Sequence, residues 1–434
     1  MKKITGLLES LNYVPKLRSN NLTNLASDGN GLFNNKISPK EFVNKLIEII
    51  KNEGDIGLKR VVERIDGNCP DSFLVSSEEC KFQLESLDTK IRKSLETSIQ
   101  RVTEFQTKTL PKSWKNVTGE FGEKVTPIES IAAYVPGGTA PLLSTAVMTI
   151  TPALVAGVKR IVVITPSKNP TLIGCATLAG ADEIYTIGGA QAIATMAYGT
   201  ESIQPVDFIC GPGNIWVTEA KKAVFGDVGI DGIYGPTETM LVVDDHSNFK
   251  IAAADLLAQS EHDTMAVPIL VSIGNNAAEN IMTILYDKLK YLPRKNISKQ
   301  SIGERGVCFV VSNADEAISI ANAVAPEHLC VATDNEKYIA DRCVKAGGLF
   351  IGESSGEVIA DYIAGPSHVM PTAGTAKFNS ALSSKDFVTI TPYLNLTRKT
   401  FVTLAESAAI IADEERLDGH ATSLRLRLKE FIGE

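Results

Sequence analysis

From 132 to 244, short β-branched runs alternate with helical ones: AAYV, RIVVITP, EIYTIGG, VDFICGP and TMLVVDD are separated by stretches such as TLIGCATLAGA and IWVTEAKKAVF. Continuous apolar runs punctuated by Gly and Pro, with helices between them, predict the buried strands of a parallel sheet. The alternation returns further on in VPILVSI, GVCFVVSN, HLCVATD and GLFIG, which frame the helical candidates AAENIMTILYDKLKYL, DEAISIANAVA and NEKYIADRC. The pattern therefore predicts an α/β protein of two comparable units. The chain before 130 reads as helical, with FVNKLIEIIKNEG and FQLESLDTKIRKSLETSIQRVTEFQTKTL, and is expected to pack on the later unit. The part after 386 reads as helical again and ends in RLDGHATSLRLRLKEFI. The expected division is an N-terminal tail segment over 1–26, a first α/β domain from 27–131 with 245–386, a second over 132–244, and a helical C-terminal tail over 387–434. Both tails are expected to lie outside the two sheets.

Length agrees with this division, because 434 residues exceed what one hydrophobic core usually serves. A formal charge of −8 without dense Lys/Arg clusters argues against a nucleic-acid or membrane-surface partner and favours a small-molecule substrate. Seven cysteines without a CxxC pair fit reduced thiols and a cytoplasmic location better than a disulfide framework. MKKITGLLESLNYV has no sustained apolar run, and no segment reaches about 18 uninterrupted apolar residues, so neither export nor membrane insertion is indicated.

Four short stretches carry candidate chemistry. In AAADLLAQSEH, Gln259 and His262 stand three apart on one helical face, a spacing that suits paired metal ligands. Glutamine is an uncommon ligand, and on this stretch alone a helix end with a solvated polar face is the simpler reading. APEHL sets Glu327 beside His328 at a helix-to-strand junction, where a buried glutamate and a histidine could serve as general bases; a solvent-facing pair at the start of a strand is the alternative. ADYIAGPSHVMPTAGTA holds Asp361 and His368 around a Gly-Pro turn, and EERLDGHA holds Glu415 and His420 on the helical tail. No GxGxxG motif is present. YVPGGTAP and CGPGN are glycine-rich turns after strands, and the second opens a helix whose first amides could face an anion, though a tight turn explains either as well. His246 reads as a surface residue and Cys210 as buried filler.

Together, GDIGLKRVVERIDG, YVPGGTAPLLSTAVM, GGAQAIATMAYGT, GPGNIWVTEAKKAVFG, AQSEHD, APEHL, DYIAGPSHVMPTAGTA and the C-terminal GHA resemble the histidinol dehydrogenases along nearly the whole chain. The resemblance implies two similar incomplete Rossmann-like domains and oxidation of L-histidinol through the aldehyde to L-histidine, with two NAD, one water and one zinc per site. It implies Gln259, His262, Asp361 and His420 as zinc ligands that also hold substrate, Glu327 and His328 as the catalytic bases, and His368 and Glu415 as further substrate contacts. Tyr134, Gln191 and Asn214 would contact NAD. A homodimer is implied, in which the C-terminal tail is exchanged so that each site draws on both chains.

One position departs from the family pattern. Where the family usually has a substrate-contacting serine in a GPSE turn, this chain reads YGPTE, with Thr237. Threonine keeps the hydroxyl and adds a methyl, which bears on the choice of substrate more than on the reaction. A paralogous zinc- and NAD-dependent dehydrogenase of another small polar alcohol is the alternative, and a binding protein with a structural zinc is a more distant one.

Overall fold

The computed structural model describes residues 1–17, 26–29, 31–137 and 141–433. Its strands, in chain order, are β1 Lys2–Thr5, β2 Trp114–Lys115, β3 Phe121–Pro127, β4 Ser130–Tyr134, β5 Arg160–Ile164, β6 Glu183–Tyr185, β7 Phe208–Cys210, β8 Gly229–Ile230, β9 Glu238–Val243, β10 Val267–Ile273, β11 Val307–Val311, β12 His328–Ala332, β13 Gly348–Ile351 and β14 Val388–Leu394. The chain divides into two compact units, 1–110 with 128–387 and 111–127 with 388–434.

The first unit holds two parallel sheets, ordered β6-β5-β4-β7-β8 and β1-β11-β10-β9-β12-β13. Counted from β4 and from β9, both contain the order 3-2-1-4-5, the doubly wound arrangement without its sixth strand, and β1 adds an edge strand beside β11 in the second. The strands are buried on both faces, as sheets covered by helices require; Ile161 to Ile164 and Met240 to Val243 are all buried.

Sheet membership corrects several expectations. β1 lies within the supposed N-terminal tail yet pairs in parallel with β11, from Lys2 opposite Val307 to Thr5 opposite Val310. An edge strand satisfies its backbone on one side and needs little apolar pattern, so four residues with one isoleucine sufficed. β9 was expected in the second domain but pairs with β10 and β12 of the six-stranded sheet, so the chain crosses between sheets at 231–237. The helix Pro39–Asp66, capped by the Ser38 side chain at its start and by left-handed Gly67 at its end, packs on the five-stranded sheet instead of the six-stranded one. Its Phe42, Leu46, Ile50 and Leu58 join one core with Ala132, Val162 and Ile193. Apolar spacing shows that a helix has a face to bury but does not say against which sheet.

The second unit is not purely helical. β14 pairs antiparallel with β3, and β2 with β3, before the helices Arg398–Glu414 and Asp418–Ile432. Among the described residues no helix is long and apolar enough to cross a membrane.

Candidate active site

A cavity of about 790 Å³ opens within the first unit, a size suited to small-molecule ligands. It lies between the carboxyl ends of the five-stranded sheet, represented by Pro136 after β4 and Pro212 to Asn214 after β7, and the amino ends of the six-stranded sheet. The helix-to-strand junction expected for Glu327 and His328 is where they lie, although doubly wound sheets usually receive ligands at the carboxyl ends of their strands. Here they enter β12 from its amino end.

Local structure explains their position. The helix Ala314–Val324 ends on Ala325 in the left-handed region, at φ 50°, and Pro326 prevents any continuation. Glu327 and His328 follow at once and are buried. Gly347 lies so close that an added Cβ would stand 2.6 Å from the Glu327 carbonyl oxygen.

The Glu327 carboxylate accepts from the Thr237 hydroxyl at 2.6 Å and from the Glu238 amide at 2.9 Å. Burial dominates and raises its pKa above the usual carboxylate range, against the opposing pull of His328 and these two bonds. The Thr237 hydroxyl in turn accepts from the Gln259 side-chain amide. Glu327, Thr237 and Gln259 thus form one hydrogen-bonded chain, with Gln259 supplied by the last turn of the helix Phe249–Ser260. This bridging role was not legible in the sequence, where Thr237 was read as a substrate contact.

His328 lies with Nδ1 3.2 Å from the Glu238 carbonyl, an arrangement in which Nδ1–H donates and Nε2 is left to face Asp361 Oδ1 at 3.5 Å. Burial opposes its charge, yet Glu327, Asp361 and Glu357 together outweigh burial and push its pKa up to about 10. Burial also opposes ionisation of Asp361, but His328, His368 and His262 more than offset it and hold the carboxyl below its ordinary range. His262 borders the cavity, and although the residue stays open to solvent the surrounding protein desolvates its ring enough to hold its pKa low, favouring the neutral ring that metals bind. His368 is also kept low by burial; its Nδ1 donates to the Asp361 carbonyl at 2.8 Å, and its Nε2 lies 3.2 Å from the Thr145 hydroxyl. Thr145 lines the cavity from the PLLST stretch and had drawn no functional reading.

The structure thus brings Thr237, Gln259, His262, Glu327, His328, Asp361 and His368 together. Glu415 and His420 belong to the second unit, where Glu415 ends one helix and His420 lies in the first turn of the next, both exposed. Among the described residues no group of three His, Cys, Asp or Glu side chains is gathered to hold a metal. Of the four ligands implied by resemblance, the first unit contains only two of those types, His262 and Asp361, with Gln259 as a third donor. Two observations fit a cation there: buried Asp361 Oδ1 makes no hydrogen bond closer than its 3.5 Å approach to His328 Nε2, and the Gln259 amide nitrogen is taken by Thr237, which leaves its oxygen for another partner.

Of the residues expected to contact NAD, Tyr134 ends β4 and Gln191 lies in the first turn of the helix after β6, both at carboxyl ends of the five-stranded sheet. Asn214 borders the cavity, but its Oδ1 caps the amides of Trp216 and Val217, so those first-turn donors are not free for an anion as the sequence reading had allowed. Tyr134 and Gln191 are buried. The Tyr134 hydroxyl accepts from the Gly189 amide at 3.1 Å, and Gln191 donates to Asp66 at 3.3 Å. Asp66 had not been singled out. Of the YVPGGTAP turn, Gly138, Thr139 and Ala140 lie outside the described residues. His246 is exposed, and Cys210 is buried with its thiol held well above the usual range by burial, so neither joins the site.

Residues 33–428 match the family model described as histidinol dehydrogenase. A histidinol dehydrogenase from Thermus thermophilus is 41% identical over 391 residues, spanning 89% of this chain and 94% of its own. One from Listeria monocytogenes is 36% identical and spans 99% of this chain and 100% of its own. The crystal structure of histidinol dehydrogenase from Elizabethkingia anophelis superposes with a TM-score of 0.91 at 30% identity, over 99% of this chain and 98% of that one.

Proposed function

Because this chain belongs to the histidinol dehydrogenase family, oxidoreductase enzymes of histidine biosynthesis, we propose that it converts L-histidinol through the aldehyde to L-histidine with two NAD, one water and one zinc per site. The observation that carries this reading is the chain from Glu327 through Thr237 to Gln259, set beside His328 and Asp361 on one cavity. A protein that only held a structural metal would have no use for two buried bases. Gln259, His262 and Asp361 would hold the zinc in the first unit, neutral and anionic donors that zinc accepts together. By resemblance, the second unit of a partner copy in a homodimer supplies His420 and Glu415, and the protein works in the cytoplasm.

When bound, zinc would fix the substrate's imidazole and amino nitrogens, and NAD would supply the hydride acceptor. His328 presents its Nε2 lone pair and takes the proton of the alcohol. A cation held by Asp361 would take up part of the charge that, with Glu327, raises the His328 pKa, and so would favour the base form of the ring. Glu327, raised by burial and aimed by Thr237, draws the proton from the water that attacks the aldehyde. The resulting hydrate carries the second oxidation. Since the Thr237 hydroxyl is engaged by Glu327 and Gln259, a serine or a threonine serves that role equally, and histidinol remains the favoured alcohol.

The test is a count of NADH formed per L-histidinol consumed, with chelator and after zinc is restored. Two NADH, lost on chelation and recovered with zinc, are expected. No NADH from L-histidinol, or full activity in metal-free protein, would reject this reading.

A further inference from the structure

Below the turn Gly211 to Asn214 lies an ion pair with almost no access to water. Lys221, on the helix Ile215–Val224, is 2% exposed and the Asp231 side chain is 0% exposed. The Lys221 ammonium donates to the Asp231 carboxylate and, at 3.0 Å, to the Gly211 carbonyl. The same carboxylate accepts the Gly211 amide at 2.7 Å and the Gly232 amide at 2.8 Å. The Tyr234 ring closes the site, 4.7 Å from the ammonium. Both polar groups of one backbone residue are therefore held by the two ends of one buried pair. Gly211 itself sits at φ +107°, and a Cβ there would run into the Tyr134 carbonyl oxygen.

A pair so deeply buried is a poor source of stability, because desolvating two charges costs about as much as their attraction returns, and apolar residues of like volume often do as well. What apolar residues cannot do is grip the N–H and the C=O of Gly211. The next residues, Pro212 to Asn214, form the cavity wall at the carboxyl end of β7, the edge at which doubly wound sheets receive nucleotides. We propose that Lys221 and Asp231 are positioning residues that hold this turn in its cofactor-binding conformation before the cofactor arrives. The proposal rests on the reading of this cavity as a dinucleotide-dependent dehydrogenase site and extends it to residues that do not themselves touch the cofactor.

The connection that follows is anchored separately. The Gly235 amide donates to the Thr372 hydroxyl at 2.6 Å, and Thr237 is bonded to Glu327 and Gln259. Loosening the pair should thus slacken the turn and spare the bases. Two variants test this, Asp231→Asn and the double change Lys221→Met with Asp231→Leu, the second leaving no unpaired buried charge. If the turn is competent a tenth of the time, the KM for NAD rises about tenfold. The expected kcat stays within about threefold of wild type, with zinc content and the KM for histidinol unchanged. A folded variant with an unchanged KM for NAD, or one whose kcat falls as far as its KM rises, overturns the proposal, since a merely structural pair would alter melting alone. Hydrogen exchange of the wild-type segment 209–214 decides the matter even if both variants fail to fold. Strong protection without NAD is expected, and protection that appears only with NAD overturns the proposal. Wild-type protein that forms no NADH from L-histidinol would reject the functional reading instead, and the exchange result would still judge the clamp.

Discussion

Thr237 shows how much a single hydroxyl can organise. It donates to Glu327 and accepts from Gln259, so its removal leaves a buried carboxylate and a buried amide each short of a partner. An unsatisfied buried polar group costs about 1–3 kcal/mol, and here the cost falls on groups with chemical roles. Thr237→Val is expected to lower turnover by about two orders of magnitude and to weaken zinc retention, whereas Thr237→Ser stays near wild type. Metal analysis beside steady-state rates checks both, and equal activity of the valine and serine variants would contradict the bridging role. Glu327 bears on one half-reaction more than the other. Glu327→Gln keeps the size and removes the base, so oxidation of the aldehyde should fall about 10²-fold or more while alcohol oxidation falls much less. Assays started from histidinol and from histidinal separate the two, and equal losses would show that Glu327 does more than activate water.

At the scale of elements, the buried face of β12 carries more charge chemistry than the reaction uses. Glu357, in the first turn of the helix Glu357–Tyr362, is buried beside Cys330, accepts from Thr239 and leaves Oε1 without a partner. Burial pushes its pKa up to about 8 from an ordinary 4.5. The folded protein therefore holds a proton that the unfolded chain releases, so the associated stability is complete below pH 4.5 and is lost as pH rises toward 8. Glu357→Gln removes that titration. Its melting temperature relative to wild type should climb between pH 5 and pH 8, windows set by these pKa values, and a constant difference would count against a protonated Glu357. Most sheet elements around this face were legible: runs such as VPILVSI and GVCFVVSN are apolar throughout because both faces are covered. β1 and β14 were not legible, since edge and antiparallel strands with one covered face carry weaker patterns. Packing partners were not legible either, which is why Pro39–Asp66 was assigned to the wrong sheet. In the site, the titratable residues stood out by type and motif. Thr145, Glu357, Asp66 and the Lys221–Asp231 pair did not, because their roles arise from contacts across 10 to 223 positions of sequence or from burial alone.

At the scale of the whole molecule, the second unit covers little apolar surface by itself. Its own helical core is Ala409, Ala412 and Ala421 with Leu424 beside them, while Leu404, Ile410, Ile411, Leu417, Leu426 and Ile432 are exposed. Apolar exposure of this extent on two helices fits an interaction surface, and a second copy of the chain is the partner implied by resemblance. If the partner copy lends His420 to a site that contains Gln259, His262 and Asp361, lesions in two different chains can be sorted by assembly. His262→Asn and His420→Asn should each give an inactive homodimer. After mixing, unfolding and reassembly, a mixed dimer would contain one site with both lesions and one with neither. Activity should then return, and with random reassembly half of the dimers would be mixed, each with one intact site of two, so recovery approaches a quarter of wild type at equal input. If His420 instead served its own chain, every site of the mixed dimer would carry one lesion and no mixing ratio would restore activity. Recovery that peaks at equal input and vanishes with either variant alone is the result the exchanged-tail arrangement requires.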